Sequence, residues 1–519
     1  MGNINRRDFL KGVGAGAIGL RGADALADAD GKDTKDGPNI VYILADDLGF
    51  GDIRCQNPDS RIPTPHIDRL AREGRRFTDA HSGSAVCTPS RYGLLTGRYS
   101  WRTQLKKGVL WPPAKPLISQ DRMTVASLLQ REGYRTACVG KWHLGLGWTM
   151  DGKSIDFDGR ISPNPTDLGF DTYFGIPGSL DMSPYCYVRD DHVVQEPTVK
   201  VSADKFGRSG MAVEGLEPAD VLPRLTREVT DIIRSHGRRK TDAPLFVYFP
   251  LTAPHKPVAP SERFRGSTEM GAYGDFVHEV DWTVGRVLKT LENAGMSDDT
   301  LVIFSADNGA SPNAARSAIK RGHEPNRPLR GMKSDIWDGG HRVPFVARWP
   351  GRVPSGTVCS ETVCLNDLLA TVAAIKGLEL PDDAGEDSFN MLPELLGREP
   401  TDDSRDTVIQ FEEATVHHSV FGYFAIRKGK WKLCLCAGSG GWASEPSTKK
   451  ARKMGMPPIQ LYNMEKDIAE QNNVYKQHPE VVEELKNLLT DYIRKGRSTP
   501  GKPQQNWKDK NKWKGITWL

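Results

Sequence analysis

The fold of this chain is decided in the stretch Asn39-Ile40-Val41-Tyr42-Ile43-Leu44-Ala45-Asp46-Asp47. An unbroken apolar run of this length is typical of a parallel strand that is buried on both faces. Similar runs predict further strands at 135–140, 245–249, 300–304 and 343–347. Helical spacing of apolar residues predicts helices at 65–74, 125–133, 225–236 and 276–291. This alternation predicts an α/β fold with a large, mainly parallel central sheet flanked by helices.

Polar residues follow four of the predicted strands at the points where the strands end. They are Asp46 and Asp47, Lys141 and His143, His255, and Asp307 with Asn308. Ligands of open α/β sheets bind beyond the carboxyl ends of the strands, so a parallel sheet would bring these side chains to one edge. The aspartates and the asparagine offer oxygen donors, which suit a hard cation such as Ca²⁺ or Mg²⁺. The alternative for an acidic pair at a strand end is turn formation or helix capping.

A second informative stretch is Ser84-Ala85-Val86-Cys87-Thr88-Pro89-Ser90-Arg91-Tyr92-Gly93-Leu94-Leu95-Thr96-Gly97-Arg98. It contains the pattern Cys-x-Pro-x-Arg, followed closely by Leu-Thr-Gly-Arg. The segment opens a predicted helix, whose N-terminus would offer backbone donors to an anion in the same cleft. Taken alone, Cys87 would be interpreted as a small buried apolar residue. The surrounding motif favours a chemical role instead.

These two elements together resemble the signature of the formylglycine-dependent sulfatases, and most of all the arylsulfatase A and N-acetylgalactosamine-6-sulfatase-like members. The run Gly140-Lys141-Trp142-His143-Leu144-Gly145 matches another stretch of that family. The resemblance covers most of residues 38–395, and Leu461-Tyr462-Asn463-Met464 is similar to a C-terminal Leu-Tyr-Asp-Leu motif. It implies the alkaline-phosphatase-like sulfatase fold with a smaller C-terminal α+β domain.

The resemblance also implies a cofactor and a maturation partner. A formylglycine-generating enzyme would oxidise Cys87 to an aldehyde, 3-oxoalanine, whose hydrate is the nucleophile of the family. One hydroxyl of the gem-diol attacks the sulfate ester. Deprotonation of the other hydroxyl then restores the aldehyde and expels sulfate, so the second step of this covalent catalysis needs no attack by water at sulfur. The family's metal, usually Ca²⁺ with Mg²⁺ also compatible, would be held by the formylglycine and by Asp46, Asp47, Asp307 and Asn308.

By the same resemblance, Arg91 contacts the formylglycine hydrate, while Lys141 and Lys333 bind the sulfate oxygens. His255 protonates the leaving alcohol, and His143 helps the second deprotonation of the nucleophile. Positive groups aimed at developing charge are often the largest catalytic term, and histidine suits proton transfer near neutral pH. Lys333 depends on a looser motif match than Lys141. The alternatives are a solvated surface lysine and a structural histidine.

The activity implied is that of a sulfuric ester hydrolase that acts on sulfated carbohydrate, with aryl sulfates as assay compounds. We expect exo action on sulfated galactose or N-acetylgalactosamine units. Residues 147–223 lose periodicity and are interpreted as a long functional insertion. Within it, Asp181 and Tyr185 are candidates for sugar recognition, and ordinary loop polarity is the alternative.

Two other functions are compatible with the sequence. One is a phosphate or phosphonate monoester hydrolase of the same superfamily, for which a site with two metals would speak. The other is a non-catalytic protein that binds sulfated glycans and whose Cys87 is never converted. The intact Cys-x-Pro-x-Arg core argues against the second alternative.

Composition and charge describe an ordinary globular protein. The chain has 519 residues, 38% of them hydrophobic and 26% charged, with a net charge of +4. This small excess does not favour nucleic acid binding. Beyond a catalytic domain at 38–395, residues 400–519 change in texture, with a hairpin pattern at 422–434 and a helix at 479–494. We expect a C-terminal subdomain with an antiparallel sheet and a closing helix.

The first 27 residues are predicted to be a twin-arginine signal peptide. Asn5-Arg6-Arg7-Asp8-Phe9-Leu10-Lys11 is followed by a mildly apolar segment and by the small-residue site Ala25-Leu26-Ala27. No later stretch reaches the roughly 20 apolar residues of a membrane span. We therefore expect a bacterial periplasmic or secreted protein. Its eight cysteines predict no disulfide pattern, because twin-arginine substrates fold in a reducing compartment before export.

Overall fold

The computed structural model describes residues 37–239, 241–398, 414–507 and 513–516. The signal peptide predicted at 1–27 lies outside these residues. So does the start of the predicted C-terminal subdomain at 400.

Twenty strands lie in the described part of the chain. In chain order they are β1 (Asn39–Asp46), β2 (Arg75–Phe77), β3 (Ala80–His81), β4 (Arg135–Lys141), β5 (Met150–Asp151), β6 (Ser154–Ile155), β7 (Thr172–Ile176), β8 (Val188–Arg189), β9 (His192–Val193), β10 (Val199–Val201), β11 (Gly210–Ala212), β12 (Leu245–Pro254), β13 (Thr300–Ala306), β14 (Phe345–Arg348), β15 (Thr357–Cys359), β16 (Val363–Cys364), β17 (Thr415–His418), β18 (Phe424–Lys428), β19 (Trp431–Cys434) and β20 (Gln460–Asn463).

Twelve α-helices lie in the same ranges. They are α1 (Pro65–Glu73), α2 (Cys87–Thr96), α3 (Val125–Arg131), α4 (Ala203–Phe206), α5 (Pro218–Arg238), α6 (Gly271–Asn293), α7 (Arg316–Ile319), α8 (Asp338–His341), α9 (Leu368–Ile375), α10 (Leu392–Leu395), α11 (Thr448–Lys453) and α12 (Pro479–Lys495).

The central sheet has ten strands in the order β15-β2-β14-β13-β1-β12-β4-β7-β8-β9. Its middle five strands, from β13 to β7, all run parallel to one another. Every residue of β1, β12 and β13 is buried, as expected for strands covered on both faces. The predicted α/β fold with a large central sheet and flanking helices is confirmed.

The edges of the sheet are mixed. β14 runs antiparallel to both β13 and β2, and the edge strands β8 and β9 form antiparallel pairs. The sequence predicted a strand near 343–347 but not its direction. The segment 307–344 returns the chain to the carboxyl end of β13, where Phe345 pairs with Ser305, so β14 must run back along β13.

The helices cover the sheet in two groups. Helices α5 and α6 pack against each other and against β12. A second group consists of α2, α3 and α9, which contact one another, with α3 on β4. The predicted helices at 225–236 and 276–291 are both longer in the structure, because their apolar stripes continue for another turn or more at one or both ends.

The C-terminal sheet is antiparallel, in the order β17-β18-β19-β20, and α12 packs on β18 and β19. The predicted hairpin and closing helix are therefore present. The described residues all belong to one compact unit, and a domain boundary at 395–400 remains a prediction. Within the described ranges, no helix is long and apolar enough to cross a membrane.

Candidate active site

Four adjacent parallel strands deliver the candidate residues to one edge of the sheet. In the order β13, β1, β12 and β4, the strands end at Ala306, Asp46, Pro254 and Lys141. The polar residues predicted from the sequence occupy these ends or follow them within two residues. All of them are buried. The shared direction of the strands therefore assembles the site.

Cys87 is the first residue of α2 and lies at the centre of the cluster. Its Sγ is 3.5 Å from Asp46 Oδ1 and 4.0 Å from Asp47 Oδ1, and Lys333 Nζ donates to it at 3.4 Å. Burial raises the pKa of the Cys87 thiol far above its ordinary value, and Asp307 raises it further. Reactive cysteines have a lowered pKa instead. The thiol itself is therefore not prepared as a nucleophile.

Arg91 follows one turn later on α2 and is fully buried. Its Nε and Nη2 donate to Asp307 Oδ2 at 3.0 and 2.7 Å, and Nη1 donates to the backbone oxygen of Lys141 at 3.0 Å. Nη2 also lies 3.6 Å from Asp46 Oδ1. The guanidinium therefore links three of the strand ends to α2, and its planar set of donors fits this role better than an ammonium group would.

Lys141 and His255 meet at Ser179. Lys141 Nζ donates to Asp46 Oδ2 at 2.7 Å and to Ser179 Oγ at 3.3 Å. Ser179 Oγ lies 3.1 Å from His255 Nδ1. Burial alone would raise the pKa of Asp46, but Lys141 and other cations nearby hold it well below its ordinary value. Asp46 is therefore ionised under ordinary conditions.

Asp47 is surrounded by Lys333, Asn308 and His255. Lys333 Nζ is 2.5 Å from Asp47 Oδ1, and the Asn308 amide donates to the same oxygen at 2.7 Å. His255 Nε2 lies 3.5 Å from Asp47 Oδ2. Asp47 Oδ2 and Asn308 Oδ1 are nevertheless buried without a hydrogen-bond partner in the described part of the chain. Such oxygens carry a desolvation cost that a bound cation would remove.

His143 lies beside this cluster with one nitrogen unused. Its Nε2 is 3.0 Å from the backbone oxygen of Leu110, which can only accept, so Nε2 carries the proton. Its Nδ1 is buried without a hydrogen-bond partner among the described residues. Burial, reinforced by Lys141, lowers the pKa of His143 well below its ordinary value. The ring is therefore neutral, with a free lone pair on Nδ1.

The backbone around the site is tightly constrained. Asp47 and His143 have φ of 63° and 58°, in the left-handed region that non-glycine residues seldom occupy. Gly140 has φ of 135°, and a Cβ there would lie 1.9 Å from the backbone oxygen of Pro250. Only glycine therefore lets β4 approach β12 closely enough to deliver Lys141.

The two candidates for sugar recognition lie one layer behind the surface. Asp181 and Tyr185 are 1% and 2% exposed. The Tyr185 hydroxyl donates to the backbone oxygen of Arg208 at 2.8 Å, and its ring stacks on Phe206. Asp181 Oδ2 lies 3.0 Å from Arg208 Nη1 and 3.2 Å from Lys256 Nζ. A direct contact of Asp181 or Tyr185 with substrate remains a prediction.

Sequence reasoning missed Ser179, which joins Lys141 to His255, and Arg208, which reaches Asp181. Ser179 stands in the same short stretch as Asp181, so a search for small hydroxyl residues beside the candidate acids could have found it. Arg208 gives no signal in the sequence, because it is a lone arginine in an aperiodic insertion.

The chain is similar to known proteins over most of its length. A family model described as Sulfatase matches residues 38–378. The N-acetylgalactosamine-6-O-sulfatase of Bacteroides thetaiotaomicron is 35% identical over 507 residues, which cover 91% of this chain and 96% of the relative. Human arylsulfatase A is 33% identical over 476 residues, which cover 87% of each chain.

A solved structure shows the same similarity in three dimensions. It is described as concerning the metabolism of multiple glycosaminoglycans by Bacteroides thetaiotaomicron. Its TM-score is 0.76 at 34% identity, and the match covers 88% of this chain and 99% of the other.

Proposed function

The chain belongs to the sulfatase family, whose members hydrolyse sulfate esters, and from that premise we propose that it removes sulfate from sulfated carbohydrate by means of an aldehyde formed at Cys87 and a bound Ca²⁺. The observation that carries the proposal is the buried cluster around Cys87. The thiol lies within 4.0 Å of two aspartates and a lysine at the carboxyl edge of the sheet. No other cysteine in the described ranges has such partners.

The residues present fit the proposed metal. Asp46, Asp47, Cys87 and His255 each offer an atom within 4.8 Å of the others, and the unpartnered oxygens of Asp47 and Asn308 add to this donor set. Such donors suit Ca²⁺, with Mg²⁺ as the alternative. We assign Asp46, Asp47, Asp307 and Asn308 as ligands, together with the modified Cys87. Ca²⁺ would supply Lewis-acid polarisation of the oxygens that it contacts, and the hydrated aldehyde would supply an oxygen nucleophile.

Lys141 and Lys333 are proposed to bind the sulfate oxygens. Both are buried, and each now pairs with one carboxylate of the site, Lys141 with Asp46 and Lys333 with Asp47. With Asp46 and Asp47 engaged as metal ligands, both ammonium groups would be available to the substrate. Fixed positive groups in a dry site then stabilise the charge that grows on the sulfuryl oxygens in the transition state.

His255 is proposed to protonate the leaving alcohol. Its Nδ1 is 2.6 Å from the backbone oxygen of Lys256, which can only accept, so Nδ1 carries a proton. The atom that gains and gives a proton is therefore Nε2. Burial and Lys333 lower the pKa of His255, and an incoming sulfate anion would oppose that effect. For His143, the free Nδ1 is the atom that would take a proton from the nucleophile.

The relatives support a sugar substrate. The N-acetylgalactosamine-6-O-sulfatase matches nearly the whole chain, and we propose exo action on sulfated galactose or N-acetylgalactosamine units. We also propose export through the twin-arginine pathway. Arg6 and Arg7 stand before an apolar segment and a small-residue cleavage site that ends at Ala27.

Mass spectrometry of the peptide that contains Cys87 tests the nucleophile, using protein from a host that makes the converting enzyme. We expect the mass of an aldehyde or its hydrate in place of the thiol, together with sulfate release from sulfated galactosamine glycans. The same spectra should show a mature N-terminus directly after Ala27.

The control is Cys87→Ala, which should fold and release no sulfate. An unmodified thiol in active, exported protein would refute the aldehyde, and retention of residues 1–27 would refute the export signal. The phosphate alternative is tested with the sulfate and phosphate esters of one phenol, and a dominant phosphatase rate would exclude our assignment.

A further inference from the structure

A cationic and aromatic rim borders the candidate site. We define it as Trp111, Arg208 and Lys256, with Asp181 behind them. The Arg208 guanidinium lies over the Trp111 ring, 4.3 Å from its centroid. Trp111 is 49% exposed, and the side chains of Arg208 and Lys256 are 40% and 36% exposed. The three rim side chains therefore face solvent, whereas Asp181 does not.

The rim and the aspartate behind it adjoin the catalytic cluster at three points. Lys256 follows His255, and its backbone oxygen accepts from the His255 ring. Trp111 follows Leu110, whose backbone oxygen accepts from His143. Asp181 lies two residues after Ser179, which contacts both Lys141 and His255. A sugar whose sulfate reached Cys87 would therefore place its next residue near the rim.

The rim carries an excess positive charge. One carboxylate oxygen, Asp181 Oδ2, forms ion pairs with both Arg208 and Lys256. Neither cation forms an ion pair with any other acid in the described part of the chain. Burial would raise the pKa of Asp181, but His255 and the two rim cations lower it, so the aspartate is ionised and one positive charge remains unneutralised.

We propose that this rim is a second anion subsite, in which Arg208 and Lys256 bind a carboxylate or a second sulfate on the sugar next to the one that is hydrolysed. This assignment rests on the proposed function. Asp181 is then a positioning residue that fixes both cations, while Trp111 supports the guanidinium and offers a face to a sugar ring. An ordinary surface ion pair would not hold two exposed cations on one fully buried carboxylate.

Paired substrates test the subsite. They are methylumbelliferyl sulfate, which has no second anion, and three sulfated N-acetylgalactosamine disaccharides whose second sugar is neutral, a uronic acid or itself sulfated. The unaltered enzyme should prefer one or both charged disaccharides over the neutral one. Arg208→Met and Lys256→Met should each lower kcat/KM for the preferred disaccharide about tenfold more than for the aryl sulfate, the scale of one charged hydrogen bond.

Lys289→Met is the matched control. It removes the same charge from the last turns of α6, before β13 begins and so at the opposite edge of the sheet, and it should leave all four rates unchanged. A carboxylate preference without a sulfate preference, or the reverse, identifies the source of the second anion. Equal losses on all four substrates, or no preference in the unaltered enzyme, would overturn the subsite.

Binding separates this outcome from a failure of the proposed function. Calorimetry with Cys87→Ala and the uronic acid or disulfated disaccharide should show affinity that Arg208→Met weakens and added salt reduces. If no sulfate is released but this binding persists, the subsite stands and the hydrolytic assignment fails. If sulfate is released and the binding is insensitive to Arg208→Met, only the subsite is refuted.

Discussion

At the scale of single residues, Asp47 concentrates the unusual features of the site. It has a left-handed backbone conformation and a buried oxygen without a hydrogen-bond partner among the described residues, and it contacts both Lys333 and Asn308. Each feature costs free energy in the isolated chain. A residue keeps such a costly conformation only when the surrounding structure holds it there. A bound cation would account for the orientation of the Asp47 carboxylate oxygens.

Asp47→Asn should therefore reduce bound Ca²⁺ and lower kcat by at least about 100-fold, since loss of one carboxylate ligand removes a full charge from the site. Asparagine tolerates the left-handed conformation, so the backbone should be preserved. Metal content measured by atomic emission, alongside the rate, checks this result. Asp281 is a buried aspartate on α6 outside the site, and the control variant Asp281→Asn should retain the bound metal. Full metal occupancy in Asp47→Asn would contradict the assignment.

At the scale of elements, the site depends on an interface between the two sheets. The Ala85 N–H and the Ser84 hydroxyl both donate to the backbone oxygen of His418 on β17, at 3.1 and 3.2 Å. The N–H of Val420 donates to the backbone oxygen of Ser334 at 3.0 Å. The C-terminal sheet thus holds the segments that lead to Cys87 and to Lys333.

Asp79 joins the same two parts through charge. Its carboxylate accepts from Arg427 on β18 at 2.9 Å and lies 3.0 Å from Arg342 and 2.9 Å from His81 Nε2. Burial would raise the pKa of Asp79, but the two arginines lower it well below its ordinary value. A carboxyl whose folded pKa is lowered stabilises the fold above its unfolded pKa, near about 3.9, and loses that effect as the pH falls.

We expect Asp79→Asn to lower the free energy of unfolding by about 3–5 kcal/mol at neutral pH, because the buried guanidinium groups of Arg342 and Arg427 lose their nearer counter-charge and keep only Asp338. The difference from the unaltered protein should shrink below about pH 4, where the unfolded chain binds the proton. Urea titrations at several pH values measure it. Asp382→Asn, which removes an exposed carboxylate beside Lys502, should have little effect. A difference independent of pH would argue against the linkage.

At the scale of the whole molecule, the C-terminal sheet shares a core with the catalytic part. One buried cluster contains Tyr99 and Trp101 together with Val416, Phe424 and Leu433. The Trp101 ring packs edge-on against Phe424. Contacts of this kind couple the stability of both parts.

The protein should therefore unfold in a single transition on heating, whether unfolding is followed by far-ultraviolet circular dichroism or by tryptophan fluorescence. Trp101→Ala should lower the midpoint of that one transition, at a cost of about 3–5 kcal/mol. The exposed Trp507→Ala, at a side chain 56% accessible, should leave it in place. Two separate transitions would instead support an independent domain beyond residue 400.

The sequence by itself determined the sheet and the identity of the candidate site. Apolar runs such as 39–45 are typical of buried strands, and the polar residues that follow them must share an edge once the strands run parallel. The Cys87 motif and the run around Lys141 were sufficient to indicate the family. These signals are local, because each depends on residues adjacent in the chain.

Only the tertiary structure decided which partners each side chain has. The direction of β14, the contacts of Ser179 with Lys141 and His255, and the hydrogen bond from Ala85 to His418 all depend on residues that are distant in sequence. Arg208 and Lys256 converge on Asp181 for the same reason, and nothing in a lone arginine within an aperiodic insertion predicts that contact. Packing of the whole chain fixes such pairs, since their distances depend on every element between them.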